Sequence, residues 1–344
     1  MVGIGIVGVG MVAGIHARAL QDLSDIAEVR AVYDRDEGRL GEFCEKWGVP
    51  AAASLDELLG HEDIEVVIVL TPPNARRDIV AAAAAAGKHI LLEKPLERDS
   101  VAGQELVDIA SAGGVTLGVV FQHRFREASL KLKSLIETGA LGKLGIAQVN
   151  VPWWRPQSYY DEPGRGTYAR DGGGVMINQA IHTLDLLQVY TGPVSEVMAL
   201  MGTSSIHTME AEDFVAAGAR FSSGALGSIV ATTAAYPGGA ETIELGFENA
   251  AVHLGSGVLT VSYHDGRTES FGEEAGTGGG ADPMAFPHDW HTSAQRDFIE
   301  AVRDGREPTV TGAEALKVHR LIDALTLSSR EKRAVALSEV GADE

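Results

Sequence analysis

The chain has 344 residues, 45% of them hydrophobic, a net charge of −20 and a single cysteine, Cys44. That length suits about two domains. The lone cysteine excludes an internal disulfide framework and argues against a cysteine-based metal site, and the acidic surplus disfavours nucleic acid and acidic membranes as partners.

No apolar run approaches the roughly 20 residues of a membrane span. Met1 leads straight into a strand pattern instead of a basic leader, so a cytoplasmic location is expected. VGIGIVG (2–8) predicts a strand, followed by a helix over 12–22, the strand VRAVYD (29–34) and a helix over 37–46. Ser54 reads as a helix N-cap, with Glu57 three residues on completing a capping box. EVVIVL (65–70) is the continuous apolar run of a strand buried on both faces. DIVAAAAAAG (78–87) predicts a helix stopped by Gly87, and HILLE (89–93), a helix over 101–112 and TLGVVF (116–121) complete the series. This alternation predicts a doubly wound parallel sheet, the Rossmann arrangement, over residues 1–121.

After Phe121 the texture changes. A helix over 126–138 ends at Gly139, and then strand-like runs follow: IAQVNV, VSEVMALM, FVAAGARF, GSIVATTAA, TIELGF, VHLG and VLTVSY. Strands with few helices between them predict a mainly antiparallel open sheet, hence an α+β domain over 122–344. A helical insert over 175–190 interrupts it, residues 273–283 read as a flexible loop, and helices return at 291–303 and 313–329.

The first strand runs into Gly8-Val9-Gly10-Met11-Val12-Ala13, a dinucleotide fingerprint in its expected context. Gly8 permits the tight turn, Gly10 lets backbone approach a pyrophosphate, and Ala13 fills the third small position. The helix N-terminus then offers amides and positive potential to phosphates. Asp34, at the end of the second strand, suits the adenosine ribose and repels a 2′-phosphate. NAD is therefore favoured, while Arg35 beside it, which could lie over the adenine, leaves room for NADP. In RDGGGVMINQAIHTLDLL (170–187), Asn178, His182 and Asp185 fall at i, i+4 and i+7 on one helical face. A histidine there can take a hydroxyl proton as hydride leaves the same carbon, with Asn178 holding substrate and Asp185 orienting the ring.

These motifs, with TPPN at 71–74, AGKHILLEKP at 86–95, QHRF at 122–125 and QRDFIEAVRDGREPTVTG at 295–312, resemble the glucose-fructose oxidoreductase, inositol dehydrogenase and rhizopine-catabolism family over nearly the whole length. The resemblance implies an NAD(P)-dependent dehydrogenase of sugars, cyclitols or nucleotide sugars. It further implies a homodimer or homotetramer formed through the C-terminal sheet. It makes Lys94 and His182 the catalytic pair with Asn178 beside them, and implies a cis bond between Lys94 and Pro95. It extends the cofactor set from Gly8, Gly10, Asp34 and Arg35 to Met11, Val12, Thr71, Pro72, Asn74, Glu93, Lys94 and Gln122. Asn178 stands where inositol dehydrogenases carry aspartate, which puts myo-inositol itself in doubt. Arg76 stands where many relatives carry histidine and receives no role. Within the same family, an NAD-dependent glycoside hydrolase and a non-catalytic dinucleotide sensor are the alternatives.

For the substrate, Trp154, Arg155, Tyr160 and Arg165, near Trp153, Tyr159 and Arg170, form a candidate carbohydrate pocket together with Asn178 and His182. An equally weighted reading has the tryptophans in the core and the arginines paired with Asp161, Glu162 and Asp171. The run His288-Asp289-Trp290-His291, even with His123 or His264, opens a helix more simply than it forms a zinc site, so no metal is expected.

Overall fold

The computed structural model describes residues 1–276, 278–280, 282 and 286–340. Thr277, Ala281 and Pro283 of the expected 273–283 loop, and residues 341–344 of the expected second domain, lie outside them. The chain divides into two compact units: one of residues 1–97, 101–122 and 288–316, the other of 98–100, 123–287 and 317 onward.

In the first unit five parallel strands, β1 (Val2–Val7), β2 (Ala27–Tyr33), β3 (Val66–Val69), β4 (His89–Glu93) and β5 (Leu117–Val120), stand in the order β2-β1-β3-β4-β5. Every residue of β1, β3 and β5 is buried, as a sheet covered on both faces requires. Each fully buried Val, Ile or Leu contributes roughly 1.5–3 kcal/mol. Local signals match their elements. Ser54 Oγ accepts from the Glu57 amide at 3.1 Å, while the Glu57 carboxylate reaches back to the amide of Ala53, one residue before the cap. Helix Arg76–Ala85 stops before Gly87, at φ 70°. The strand order reverses between β1 and β3, and ligands of open α/β sheets bind at the carboxyl ends of strands flanking such a switch point.

One element is placed differently from the sequence expectation. Helix Asp289–Asp304, expected in the second domain, belongs to the first unit. Its Phe298 packs on β5 where Gly118 leaves room, since a Cβ there would come within 2.5 Å of the ring. Val119 N donates to Val310 O at 3.2 Å just beyond that helix.

The second unit is built on nine strands: β6 (Leu144–Pro152), β7 (Val194–Gly202), β8 (Phe214–Phe221), β9 (Leu226–Thr232), β10 (Thr242–Phe247), β11 (Ala250–Gly255), β12 (Val258–Tyr263), β13 (Thr268–Phe271) and β14 (Val335–Ala336). Their order is β13-β12-β11-β10-β6-β9-β8-β7-β14, and every pairing is antiparallel except β6 with β9. The sequence reading missed β13 and β14 because TESF is polar and Val335-Ala336 is only two residues long. Burial alternates along β6, β10 and β11, so one face is interior and the other exposed. The exposed face carries Ile146, Met198, Leu200, Phe214 and Leu226.

Candidate functional site

The dinucleotide cradle lies at the switch point of the first unit. Gly8 follows β1 at φ 98°, and a Cβ there would stand 3.2 Å from Leu70 and Thr71, so only glycine fits. Gly10 is different: a Cβ built on it meets no atom within 4 Å. The protein does not require glycine there, whereas a pyrophosphate drawn close to the backbone does. Ala13 is 1% exposed, and helix Ala13–Asp22 has no side-chain cap, leaving its N-terminal field directed toward an anion. Met11 is exposed at the loop tip, with Val12 the residue before the helix.

Asp34 braces this loop. Its Oδ2 accepts from Val9 N at 2.8 Å, and its Oδ1 accepts from Asp36 N at 2.9 Å and Arg39 Nη2 at 3.3 Å. The basic partner of Asp34 is thus Arg39, which the sequence reading passed over, while Arg35 is exposed. Beyond β3, Thr71 and Pro72 are half-buried and Asn74 is exposed. Thr71 Oγ1 and Gln122 Oε1 are buried with no hydrogen-bond partner among the described residues. Buried polar atoms without partners are rare, and a polar ligand satisfies them. These residues therefore fit a dinucleotide.

Lys94 directly follows β4, half-buried, and the Lys94-Pro95 peptide is cis, as the resemblance implied. The Glu93 side chain, expected at the cofactor, is 5% exposed, with Oε1 at 3.0 Å from His16 Nε2 and 3.5 Å from His291 Nε2. Alternation along β4 sends the residue next to Lys94 inward, under helices Ala13–Asp22 and Asp289–Asp304. Gln295 Nε2 lies 2.8 Å from His16 Nδ1, completing the cluster. Burial opposes ionisation of Glu93, but the hydrogen bonds and charges of His16 and His291 outweigh it and hold the carboxyl well below its ordinary range. Burial pushes His291 below the usual imidazole range. Of the HDWH run, His291 thus serves Glu93, and His288 Nε2 pairs with Asp22 at 2.7 Å.

The histidine helix belongs to the second unit. Gly172 and Gly174 let it start against backbone: a Cβ on Gly172 would stand 2.5 Å from Arg98 Cα, and one on Gly174 1.8 Å from Glu212 O. The buried Glu212 carboxylate accepts from Gly174 N at 3.0 Å and Met176 N at 3.1 Å, sitting at the helix start where its charge is favoured. Burial nevertheless raises its pKa. The helix opens with a π turn, Met176–Ala180, before the α-helix Ile181–Thr191, so Asn178 precedes the regular spacing assumed from sequence. Asn178 Nδ2 donates to Gly173 O at 2.8 Å and Gly174 O at 3.1 Å. His182 is 5% exposed and stacks on His123, with ring centroids 4.4 Å apart. Asp185 accepts from Arg124 at 2.7 and 2.6 Å, one oxygen to each nitrogen.

In the aromatic and arginine group, Trp153 is buried and Arg165 and Arg170 find nearby acids, whereas Trp154 is half-buried and Arg155 holds backbone carbonyls. Strand β6 ends at Pro152; Trp153 is 5% exposed, and Trp154 is half-buried in an isolated bridge to Ala234. Arg155, 2% exposed, donates to Trp154 O and Gly280 O and lies over the Trp153 and Tyr159 rings. Tyr160 is buried and its hydroxyl meets Thr233 Oγ1 at 2.6 Å. Arg155 and Tyr160, expected at the substrate, are interior residues engaged by the fold. Arg165 pairs with Glu162 at 2.8 Å and donates to the Tyr159 hydroxyl at 3.0 Å, and Arg170 lies 3.4 Å from Asp171.

Comparison with known proteins agrees with both units. Residues 2–121 match the profile of the oxidoreductase family with an NAD-binding Rossmann fold, and residues 129–253 match the GFO/IDH/MocA C-terminal domain. The chain belongs to this GFO/IDH/MocA oxidoreductase family. It is 29% identical to myo-inositol 2-dehydrogenase of Thermotoga maritima over 345 aligned residues, covering 98% of this chain and 99% of that protein. It is also similar to two WlbA dehydrogenases solved in complex with NADH and UDP-GlcNAcA. The one from Bordetella pertussis is 29% identical with a TM-score of 0.84, over 99% of each chain. The one from Chromobacterium violaceum is 30% identical with the same TM-score, over 100% of this chain and 97% of that one.

Proposed function

We propose that this protein oxidises a secondary hydroxyl of a sugar, cyclitol or nucleotide sugar with NAD, or runs the reverse reduction, using Lys94, His182 and Asn178. The observation that carries the reading is the cradle at the β1–β3 switch point, whose Gly10 faces open space while Thr71 Oγ1 and Gln122 Oε1 lack hydrogen-bond partners among the described residues. The bound nicotinamide supplies the hydride acceptor. Lys94, beside the strand that flanks the cradle, takes the hydroxyl proton, His182 assists that transfer, and Asn178 orients the substrate. Asp34, already fixed by Val9 N and Arg39, disfavours a 2′-phosphate, so NAD leads and NADP is the weaker cofactor.

Two further features complete the proposal. The exposed face with Met198, Leu200 and Phe214 is the surface through which copies of the chain associate as a dimer or tetramer. The location is the cytoplasm, in keeping with a single cysteine; among the described residues no helix is long and apolar enough to cross a membrane.

The test follows absorbance at 340 nm with NAD, and separately NADP, against myo-inositol, levoglucosan, aldoses, sugar acids and UDP-GlcNAcA. Reduction with one stereochemical class is the expected result. Silence across the panel with NAD still bound overturns the dehydrogenase.

A further inference from the structure

Arg76 is 2% exposed, and what its guanidinium holds is backbone. Nε and Nη2 both donate to Thr71 O, at 3.0 and 2.8 Å. Nη1 donates to the Pro95 carbonyl and, at 3.4 Å, to that of Leu96. Burial lowers its pKa to about 10, against the opposing pull of Glu93 and Glu97. A buried guanidinium is a costly way to stabilise a fold, because apolar packing of similar volume usually does as well or better.

The two segments it joins explain the expense. Thr71 follows β3 at the switch point and belongs to the dinucleotide cradle, while Pro95 is the residue after Lys94. A guanidinium presents its donors in a fixed planar fork, and neither a shorter imidazole nor a point-like ammonium at 76 reproduces that pattern on the Thr71, Pro95 and Leu96 carbonyls. The other flank of Lys94 is fixed as well, since Glu93 is held by His16 and His291. Lys94 is thus a half-buried side chain on a backbone anchored both before and after it.

We propose that Arg76 is the positioning residue of Lys94: its fork fastens the backbone after the lysine to the Thr71 turn. This rests on Lys94 being the proton acceptor of the reaction proposed above. Anchoring sets where the amine lies relative to the reacting hydroxyl.

The experiment measures kcat and KM at saturating NAD for the wild type, Arg76→Gln, Arg76→Lys and Lys94→Ala, with folding checked by circular dichroism. The probes are myo-inositol, levoglucosan and UDP-GlcNAcA. Arg76→Gln is expected to lower kcat about tenfold or more with substrate KM little changed. Arg76→Lys keeps the charge but not the fork, so its kcat falls as well. If Arg76→Gln does not fold, Arg76→His, the residue many relatives carry there, is judged by the same criterion. A folded Arg76→Gln with wild-type kcat overturns the inference, as does one in which only KM rises. Turnover by Lys94→Ala, or silence of every probe, instead removes the reading on which it rests.

Discussion

His182 lies against His123 with ring planes inclined by 27° and centroids 4.4 Å apart. His123 is itself held at Nε2 by Arg126, whose Nη1 donates to Glu241 at 3.0 Å. The stack therefore presses His182 against a braced surface, limiting the ring to few orientations. A general acid or base contributes roughly 10²–10⁴-fold, so His182→Ala should lower kcat by about that factor with NAD affinity unchanged. His123→Ala, which removes only the brace, should cost about tenfold, and His123→Phe, which retains a flat ring, should recover most of it. Steady-state kinetics with the substrate found in the panel, beside NADH titration by fluorescence, separates these outcomes.

Lys94 is the other half of the proposed chemistry, and its removal should be more complete. Lys94→Ala leaves Gly8, Gly10, Asp34 and Thr71 untouched, so NAD affinity should stay within a few fold while turnover disappears. An active Lys94→Ala enzyme, measured at 340 nm with saturating NAD, would contradict the mechanism.

What could be read from sequence follows from the distance over which each signal acts. Strands β1, β3 and β5 announced themselves as unbroken apolar runs, and Ser54, Gly87 and Gly139 acted within a few residues. Gly8, Gly10 and Asp34 were legible because strand, turn and acid keep a fixed spacing. The Glu93 cluster was not, since it joins residues 16, 93, 291 and 295, whose neighbourhood exists only after helix Asp289–Asp304 packs on the first sheet. Arg76 was noticed as unusual but its partners are carbonyls, which carry no sequence signature. The π turn at Met176–Ala180 likewise escaped a helical count, and with it the backbone bonds of Asn178. The arginines near Tyr159 had nearby acids in the sequence, and Arg165 and Arg170 found them.

Gly8 and Gly10 allow a clean separation of fold from binding. Gly10→Ala places a methyl in open space, so stability should change by less than about 0.5 kcal/mol while NAD affinity falls about tenfold or more. Gly8→Ala forces a φ of 98° on a residue with a Cβ and should cost about 1–3 kcal/mol of stability. Thermal melts with and without NADH, together with NADH titrations, distinguish the two. A Gly10→Ala protein that binds NAD as tightly as the wild type would remove the assignment of this loop to the pyrophosphate.

The Glu93 cluster predicts a pH dependence whose sign can be worked out. The folded-state pKa of Glu93 is held well below its value in the unfolded chain by His16 and His291, despite burial. The folded state therefore binds this proton more weakly, and the stability involved is fully present above the unfolded value of about 4.3. It is lost as pH falls from there through the depressed folded value. Glu93→Gln removes this contribution and leaves His16 and His291 without their carboxylate, so at pH 7 the first unit should be less stable by about 3 kcal/mol. The gap between the two proteins should narrow as the pH falls below about 4.3 and close only below the depressed folded value, where the folded wild-type carboxylate is protonated as well. Melting followed by circular dichroism from pH 3 to 8 measures the gap directly. A gap that stays constant across that range would show that the Glu93 charge does not stabilise the fold, and that the cost of Glu93→Gln is one of packing alone.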